Sequence, residues 1–449
     1  MFLVLFSICL ILIFVIKKTV RDRISRVFGL IFCCFWFFSL ILCTFRPYGF
    51  FEVQTYTYVL LIVAIVAFFT GYCSYRIKAV HNNKYLAGDE EFLVRRFRQF
   101  MESKIYLCII LFISIYELQF AINALILAEE STTYLTEDKQ DFMFMGNKLG
   151  LLLWMYLMFP IFHIQCLNIS VVLIKKFRPS ILFIISSICF FAVFGILNGG
   201  RTLFVIFFLY LLFTQIIVDE APKKGIQKLK KCLGAIAIVC VLFIGMMYMT
   251  AYRIHGSFEI KSEDFNEAAF QMAETPLKYS VLPVVLFDRS LKEDYIIKFG
   301  GYKYGRMTFC GVDIITSGFL KRLGIHINST DEVMQYLQNQ WKSCSPTKRY
   351  NYAYTGVFYH YMDFGVFGVI LFPLFFGLIV RSAISRFYIV KTIPWFLYIC
   401  FLFYLTIHSI FSNYLHSTWI IVYIPTLWIW DYLVRYKLRF SNLSQKNNH

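Results

Sequence analysis

Long apolar runs recur along this chain between short polar breaks, and they decide most of what it can become. Eleven are legible, over residues 1–16, 27–45, 57–75, 105–127, 151–174, 181–197, 203–218, 232–252, 366–380, 394–411 and 419–434. A helix standing upright in a bilayer needs about 20 apolar residues. Several runs are shorter, so they extend into flanking polar residues or sit in thinned lipid, and the total lies between about ten and twelve. Mean hydropathy is +0.63, with 59% hydrophobic and 16% charged residues, far from the roughly 25% charge of soluble domains. The expected fold is all-α: a polytopic integral membrane protein of about 11 transmembrane helices.

The series breaks once. Residues 253–365 hold no segment able to cross a bilayer, so the chain divides into helices 1 to 8 over 1–252, a large polar loop over 253–365, and helices 9 to 11 with a tail over 366–449. Charge gives the orientation. One set of alternate loops (17–26, 76–104, 175–180, 219–231, 381–393 and the tail from 435) carries 27 Lys and Arg, whereas the short loops opposite (46–56, 128–150 and 198–202) carry 4. The positive-inside rule makes the first set cytoplasmic and turns the large loop outward. The first run is followed by its positive charges (Lys17, Lys18, Arg21, Arg23, Arg26) and not preceded by them, which reads as an anchor and not a leader. Most of the net charge of +17 is thus topogenic. Its dispersal over short loops argues against a nucleic-acid partner.

Of thirteen cysteines, only Cys310 and Cys344 lie in the large loop; the others behave as small hydrophobes in or beside apolar runs. The two could pair in an oxidising compartment, although spacing alone does not fix the geometry. No CxxC and no Cys/His cluster suggests a metal, and no internal repeat is visible. Residues 128–150 form an acidic loop, and 76–104 read as an amphipathic cytoplasmic helix on the membrane surface. Within the large loop, 264–272 and 330–341 each start with acids after a capping Ser or Thr and then place apolar residues at helical spacing, as interfacial helices do. Asn198-Gly199-Gly200 is turn chemistry between two runs, with Arg201 at the tip of the hairpin.

Candidate chemistry falls in two places. Arg201, Arg253 at the end of the eighth run, and Arg289 and Arg306 in the large loop supply guanidinium forks that suit phosphate oxygens. The competing reading of the first two is interfacial anchoring to lipid headgroups. The second place is the segment from Asn351 to Gly365, where the ninth helix is expected to start near Thr355 and to carry His360 and Asp363 in its first turns. Their i, i+3 spacing places both on one face. An ionisable pair at that depth is a functional candidate, able to take a proton from a sugar hydroxyl; a carboxylate held by the helix dipole is the plainer alternative. Glu117, His163 and His408 within other runs read as buried hydrogen-bonding groups, and His416 as a short-loop residue.

Taken together, an apolar run ending in Gly-Gly-Arg (Gly199 to Arg201), Arg253-Ile-His-Gly256, the long loop, Asn351 with Thr355, and Asp363-Phe-Gly365 leading to Gly368 resemble the Wzy-type oligosaccharide repeat-unit polymerases of bacterial O-antigen and capsule synthesis. The resemblance in topology covers nearly the whole chain, and the motifs cover about forty residues. It implies a GT-C-like glycosyltransferase of the bacterial cytoplasmic membrane, with its site facing outward, that needs no metal or other cofactor. Undecaprenyl-pyrophosphate-linked oligosaccharide would be both donor and acceptor, membrane lipid a partner, and a chain-length regulator a further one. Pyrophosphate-binding arginines of that family would map onto Arg201 and Arg253. Asp363 and His360 as proton acceptors, and Gly200, Asn351, Thr355 and Gly365 as motif or positioning residues, complete the expected site. An O-antigen ligase of similar fold, a lipid-linked oligosaccharide flippase and a structural scaffold stay open as alternatives.

Overall fold

A computed structural model of the protein describes residues 1–75, 98–130, 147–175, 178–198, 202–218, 262–325, 329–339, 341–350, 354–390, 393–412, 418–420, 422, 423, 425, 428 and 429. It is mostly helical, 82%, and among the described residues seven helices are long and apolar enough to cross a membrane. The chain is an all-α membrane protein. Six of the seven are α1 (Phe2–Thr19), α2 (Arg23–Thr44), α3 (Thr55–Ser74), α4 (Lys104–Glu130), α5 (Lys148–Lys175) and α6 (Ile181–Asn198). Two shorter apolar helices, α7 (Thr202–Val218) and α13 (Ile393–His408), match two more of the expected runs. The run over 232–252, most of that over 419–434, most of the expected surface helix over 76–104 and most of the acidic loop over 128–150 lie outside the described residues.

The chain forms two compact units. One comprises Lys84–Glu274, Thr392–Cys400 and Val422–His449. In it α4 packs on α6 and α5 on α7. Apolar contact alone gives such helices little specificity in lipid, so hydrogen bonds between them matter. Asn168 donates to Tyr106 at 3.3 Å and to Gln165 at 3.2 Å, Gln165 donates to Ser187 at 3.4 Å, and His163 pairs with the Tyr210 hydroxyl at 2.9 Å. His163 thus takes the hydrogen-bonding place expected of it. Glu117, expected as a hydrogen-bonding group too, is fully buried, and among the described residues neither of its carboxyl oxygens has a hydrogen-bond partner.

The other unit comprises Met1–Asn83, Thr275–Lys391 and Phe401–Ile421. Its centre is the crossing of α3 with the seventh long helix, α12 (Gly356–Val390). Their backbones touch. A Cβ at Gly71 would sit 2.0 Å from the Leu374 carbonyl oxygen, and one at Gly377 would sit 2.2 Å from that of Phe68. Small residues permit this approach, as they do at membrane helix contacts generally.

At one end of α12, Arg381 binds Asp22, with both side chains nearly fully buried. Asp22 also accepts the Ser25 amide at 2.9 Å and so caps α2. The guanidinium donates to the Tyr75 carbonyl at 3.3 Å and lies 5.6 Å from the Tyr72 ring centroid, and the Tyr72 hydroxyl donates to the Ser25 carbonyl at 2.8 Å. The first turns of α2, the end of α3 and α12 are thereby tied together. Sequence places Arg381 in a loop over 381–393; the structure corrects this, since α12 continues to Val390 and the charge is matched inside the unit.

The polar stretch also differs from expectation. In place of a short interfacial helix over 264–272, α8 runs from Ser262–Lys292, through Pro276 and Pro283, and residues 280–288 are all buried. Asp288 anchors it, accepting the Gln54 amide at 2.8 Å and the Thr57 hydroxyl at 2.6 Å at the start of α3, with Lys292 paired to it at 2.5 Å. Beyond it come α9 (Tyr295–Lys298), α10 (Cys310–Arg322), α11 (Asp331–Asn339) and a two-stranded antiparallel hairpin, β1 (Lys342–Ser343) with β2 (Arg349–Tyr350). Helix α11 matches the second expected interfacial helix.

Candidate functional site

Helix α12 starts where Thr355 caps it. The fully buried threonine takes the Phe358 amide on its carbonyl at 3.0 Å, with its hydroxyl 3.4 Å from the same amide. Two turns later the helix kinks, with Phe364 at φ −144° and Gly365 at φ 59°, ψ −140°. A side chain at 365 would be strained in that backbone region and would meet the Tyr302 hydroxyl at 2.9 Å. The kink turns carbonyls toward the segment before α10: Met362 accepts the Lys303 amide at 3.0 Å, and Asp363 the Tyr304 amide at 3.2 Å.

Side chains lock the same junction. Asp363 is fully buried, and its two oxygens accept the Met307 amide at 2.9 Å and the Thr308 amide at 2.7 Å. Such charge-assisted bonds lessen the cost of burying a carboxylate. His360, one turn earlier, places Nδ1 2.9 Å from the Thr308 hydroxyl and stacks on Phe372 at 5.0 Å between ring centroids. The expected pair therefore does share a face, and it converges on Thr308. Asp363 is the more enclosed of the two; His360 is half-buried. Thr308 is the residue that sequence reasoning misses. The available signal is the glycine cluster Gly300, Gly301 and Gly305 just before it, all at positive φ, which marks a tightly turned segment.

The two described arginines of the expected set have different surroundings. Arg306 holds Asp313 with two contacts, at 2.6 and 3.3 Å, and Asp313 also accepts the Thr330 amide and hydroxyl, each at 2.8 Å. Burial works against ionisation of Asp313, yet the Arg306 guanidinium and the two Thr330 bonds prevail and hold its carboxyl below the usual range. Arg289 has no carboxylate against it among the described residues. Its guanidinium lies 5.0 Å from the Phe51 ring centroid, and its Nε is buried without a hydrogen-bond partner. Arg201, Arg253, Gly200 and Asn351 lie outside the described residues, as does His416. Among the described residues no group of three or more His, Cys, Asp or Glu is arranged to hold a metal ion. Cys310 and Cys344 are both buried free thiols; the first receives the Thr330 hydroxyl at 3.2 Å, and the second donates its amide to the Lys348 carbonyl at 3.0 Å.

Chemically, this arrangement offers an imidazole whose orientation is set by a hydroxyl, a buried carboxylate fixing the loop that carries that hydroxyl, and in the same unit the Arg289 guanidinium, with no carboxylate against it among the described residues. Compared with family models, curated proteins and solved structures, the chain finds no match.

Proposed function

We propose that this protein is a membrane glycosyltransferase that polymerises undecaprenyl-pyrophosphate-linked oligosaccharide repeat units at the outer face of the bacterial cytoplasmic membrane. The reading takes about eleven spans in a GT-C-like arrangement, with the 253–365 loop on the outside. The observation that carries it is the convergence of His360 and Asp363 on Thr308, at a kink in a membrane-spanning helix beside a cation-bearing loop.

In this reading an acceptor hydroxyl gives its proton to Nε2 of His360 as its oxygen attacks the donor's anomeric carbon. The bond from that carbon to pyrophosphate breaks, and undecaprenyl pyrophosphate leaves with the electron pair. Negative charge grows on the leaving group, so fixed guanidinium groups stabilise the transition state more than the ground state. Arg289 is available for that role; Arg201 and Arg253 are proposed to share it, and Arg306 acts from its pair with Asp313. Asp363 holds the loop in place, with Gly365 shaping the kink and Thr355 the helix start.

The test is a deletion strain complemented with single variants and examined by glycan gel at matched protein level. Without the protein, single repeat units should reach the surface and the ladder of longer chains should vanish. His360→Gln, Arg253→Ala and Arg201→Ala should each leave the ladder absent. Normal ladders from all three would overturn the reading. Finished polymer held on the carrier would point instead to a ligase, and repeat units retained inside the cell to a flippase.

A further inference from the structure

Two further cations in the same unit, Lys278 and Lys348, lie outside this account and extend it from Arg289. The segment between α2 and α3 takes an unusual path: Arg46, Tyr48 and Gly49 have φ of 49°, 61° and 69°. Left-handed backbone at a non-glycine is strained and persists where surrounding contacts enforce it. Those contacts are explicit. The Phe51 amide donates to the Cys344 carbonyl at 2.9 Å, and the Phe50 ring meets Tyr350 edge-on at 5.9 Å, which ties the segment to the β1–β2 hairpin. The result displays the Tyr48 and Phe51 rings, both half-buried.

Three cations sit on those rings. Lys278 and Lys348 place their ammonium groups 5.3 and 5.7 Å from the centroid of the one Tyr48 ring, and the Arg289 guanidinium lies 5.0 Å from that of Phe51. Neither Lys348 nor Arg289 has a carboxylate against it among the described residues. An anion on this strip would give both a partner, and the exposed part of the aromatic faces would take the apolar face of a sugar ring. Lys278 and Arg289 are 11 residues apart on α8, about three turns, so they share a face roughly 16 Å from end to end. Such a strip is too long for a single phosphate and suits a chain bearing repeated negative charge.

We infer that Tyr48, Phe51, Lys278, Lys348 and Arg289 form a binding strip for an anionic saccharide, one that carries carboxylate or phosphate groups. The inference deepens the polymerase reading by naming a substrate class, and it rests on that reading only in supposing that the chain handles glycans. The test is direct binding to purified protein in nanodiscs, using oligogalacturonate, a neutral maltooligosaccharide of equal length, and inorganic pyrophosphate. Oligogalacturonate should bind in a salt-sensitive way and the neutral chain should not. Lys278→Gln with Lys348→Gln should weaken binding by about tenfold or more, the scale of a lost charge-assisted contact, and Tyr48→Leu should weaken it as well. If pyrophosphate binds as well as the oligosaccharide and is lost in the same variants, the negative charge read here comes from the phosphates of the lipid carrier and not from acidic sugars. Equal binding of the neutral chain, or anion binding unchanged in the double variant, overturns the inference. A normal glycan ladder in the deletion strain together with intact anion binding would defeat the polymerase reading alone; an absent ladder with no anion binding would defeat only this strip.

Discussion

At the scale of single residues, Asp363 and His360 are separable by what each touches. Both oxygens of Asp363 are engaged by backbone amides, at 2.9 and 2.7 Å. Asp363→Asn would turn an NH2 group toward one of those amides and leave a buried donor unsatisfied, at a cost of about 1–3 kcal/mol. The segment from Lys303 to Thr308 should then come loose, which limited proteolysis would register as cleavage near Tyr304, and chain growth should fall with it. His360→Gln removes the imidazole yet leaves the amide cradle intact, so proteolysis should match the parent protein while polymer is lost. If the two variants are equally protease-sensitive, the division of roles between carboxylate and imidazole is wrong.

At the scale of elements, the tightest contact is that of α3 with α12, where Gly71 and Gly377 leave no space for a side chain. The atoms in the way are backbone carbonyls, which cannot rotate aside. Gly71→Leu or Gly377→Leu should therefore push the two helices apart and lower the thermal midpoint in detergent, whereas Gly195→Leu, where nothing lies within 4 Å, should leave it close to that of the parent. A second element-level device joins the loop before α10 to the start of α11 through Asp313. Because its carboxyl is held below the usual range, the junction is stabilised above the ordinary Asp value, about 3.9, and loses that contribution as pH falls through the depressed folded value. Pepsin should begin to cut around Phe319 only in that acid window; Asp313→Asn should open the same site at about pH 5, well above it. The same elements show what sequence can reveal. Apolar runs announce α1 to α7 because lipid demands length and hydropathy, both readable locally. The start of α12 near Thr355 and the shared face of His360 and Asp363 follow from capping and 3.6-residue periodicity. Helix α8 is legible only over 264–272, because Pro276 and Pro283 interrupt the local helical pattern and its burial depends on α3 through Asp288, a contact between residues more than two hundred positions apart. Arg381 was misplaced for the same reason: its partner Asp22 belongs to the opposite end of the chain.

At the scale of the whole molecule, the function proposed here depends on which side of the membrane receives the 253–365 segment, and charge asymmetry makes a definite prediction. Native cysteines are poor reporters of it. Cys310 and Cys344 are fully buried, and burial pushes their thiols up to about 11 and about 12 respectively, so at neutral pH neither presents a reactive thiolate. Exposed positions serve better. Tyr304, 73% exposed in the loop, can be replaced as Tyr304→Cys, and Thr19, exposed at the end of α1, as Thr19→Cys. With a charged maleimide added to intact cells, Tyr304→Cys should be labelled and Thr19→Cys should react only after the membrane is opened. The reverse pattern would place the kinked helix, Thr308 and the cations of α8 in the cytoplasm, where a lipid-linked glycan already moved across the membrane could not reach them. In that case the polymerase reading could not stand, whatever the hydrogen bonds of Asp363 look like. Labelling of both sites from outside would instead mean that the helix count between them is odd-numbered in error, since Thr19 and Tyr304 must lie on opposite faces for the charge-derived topology to hold.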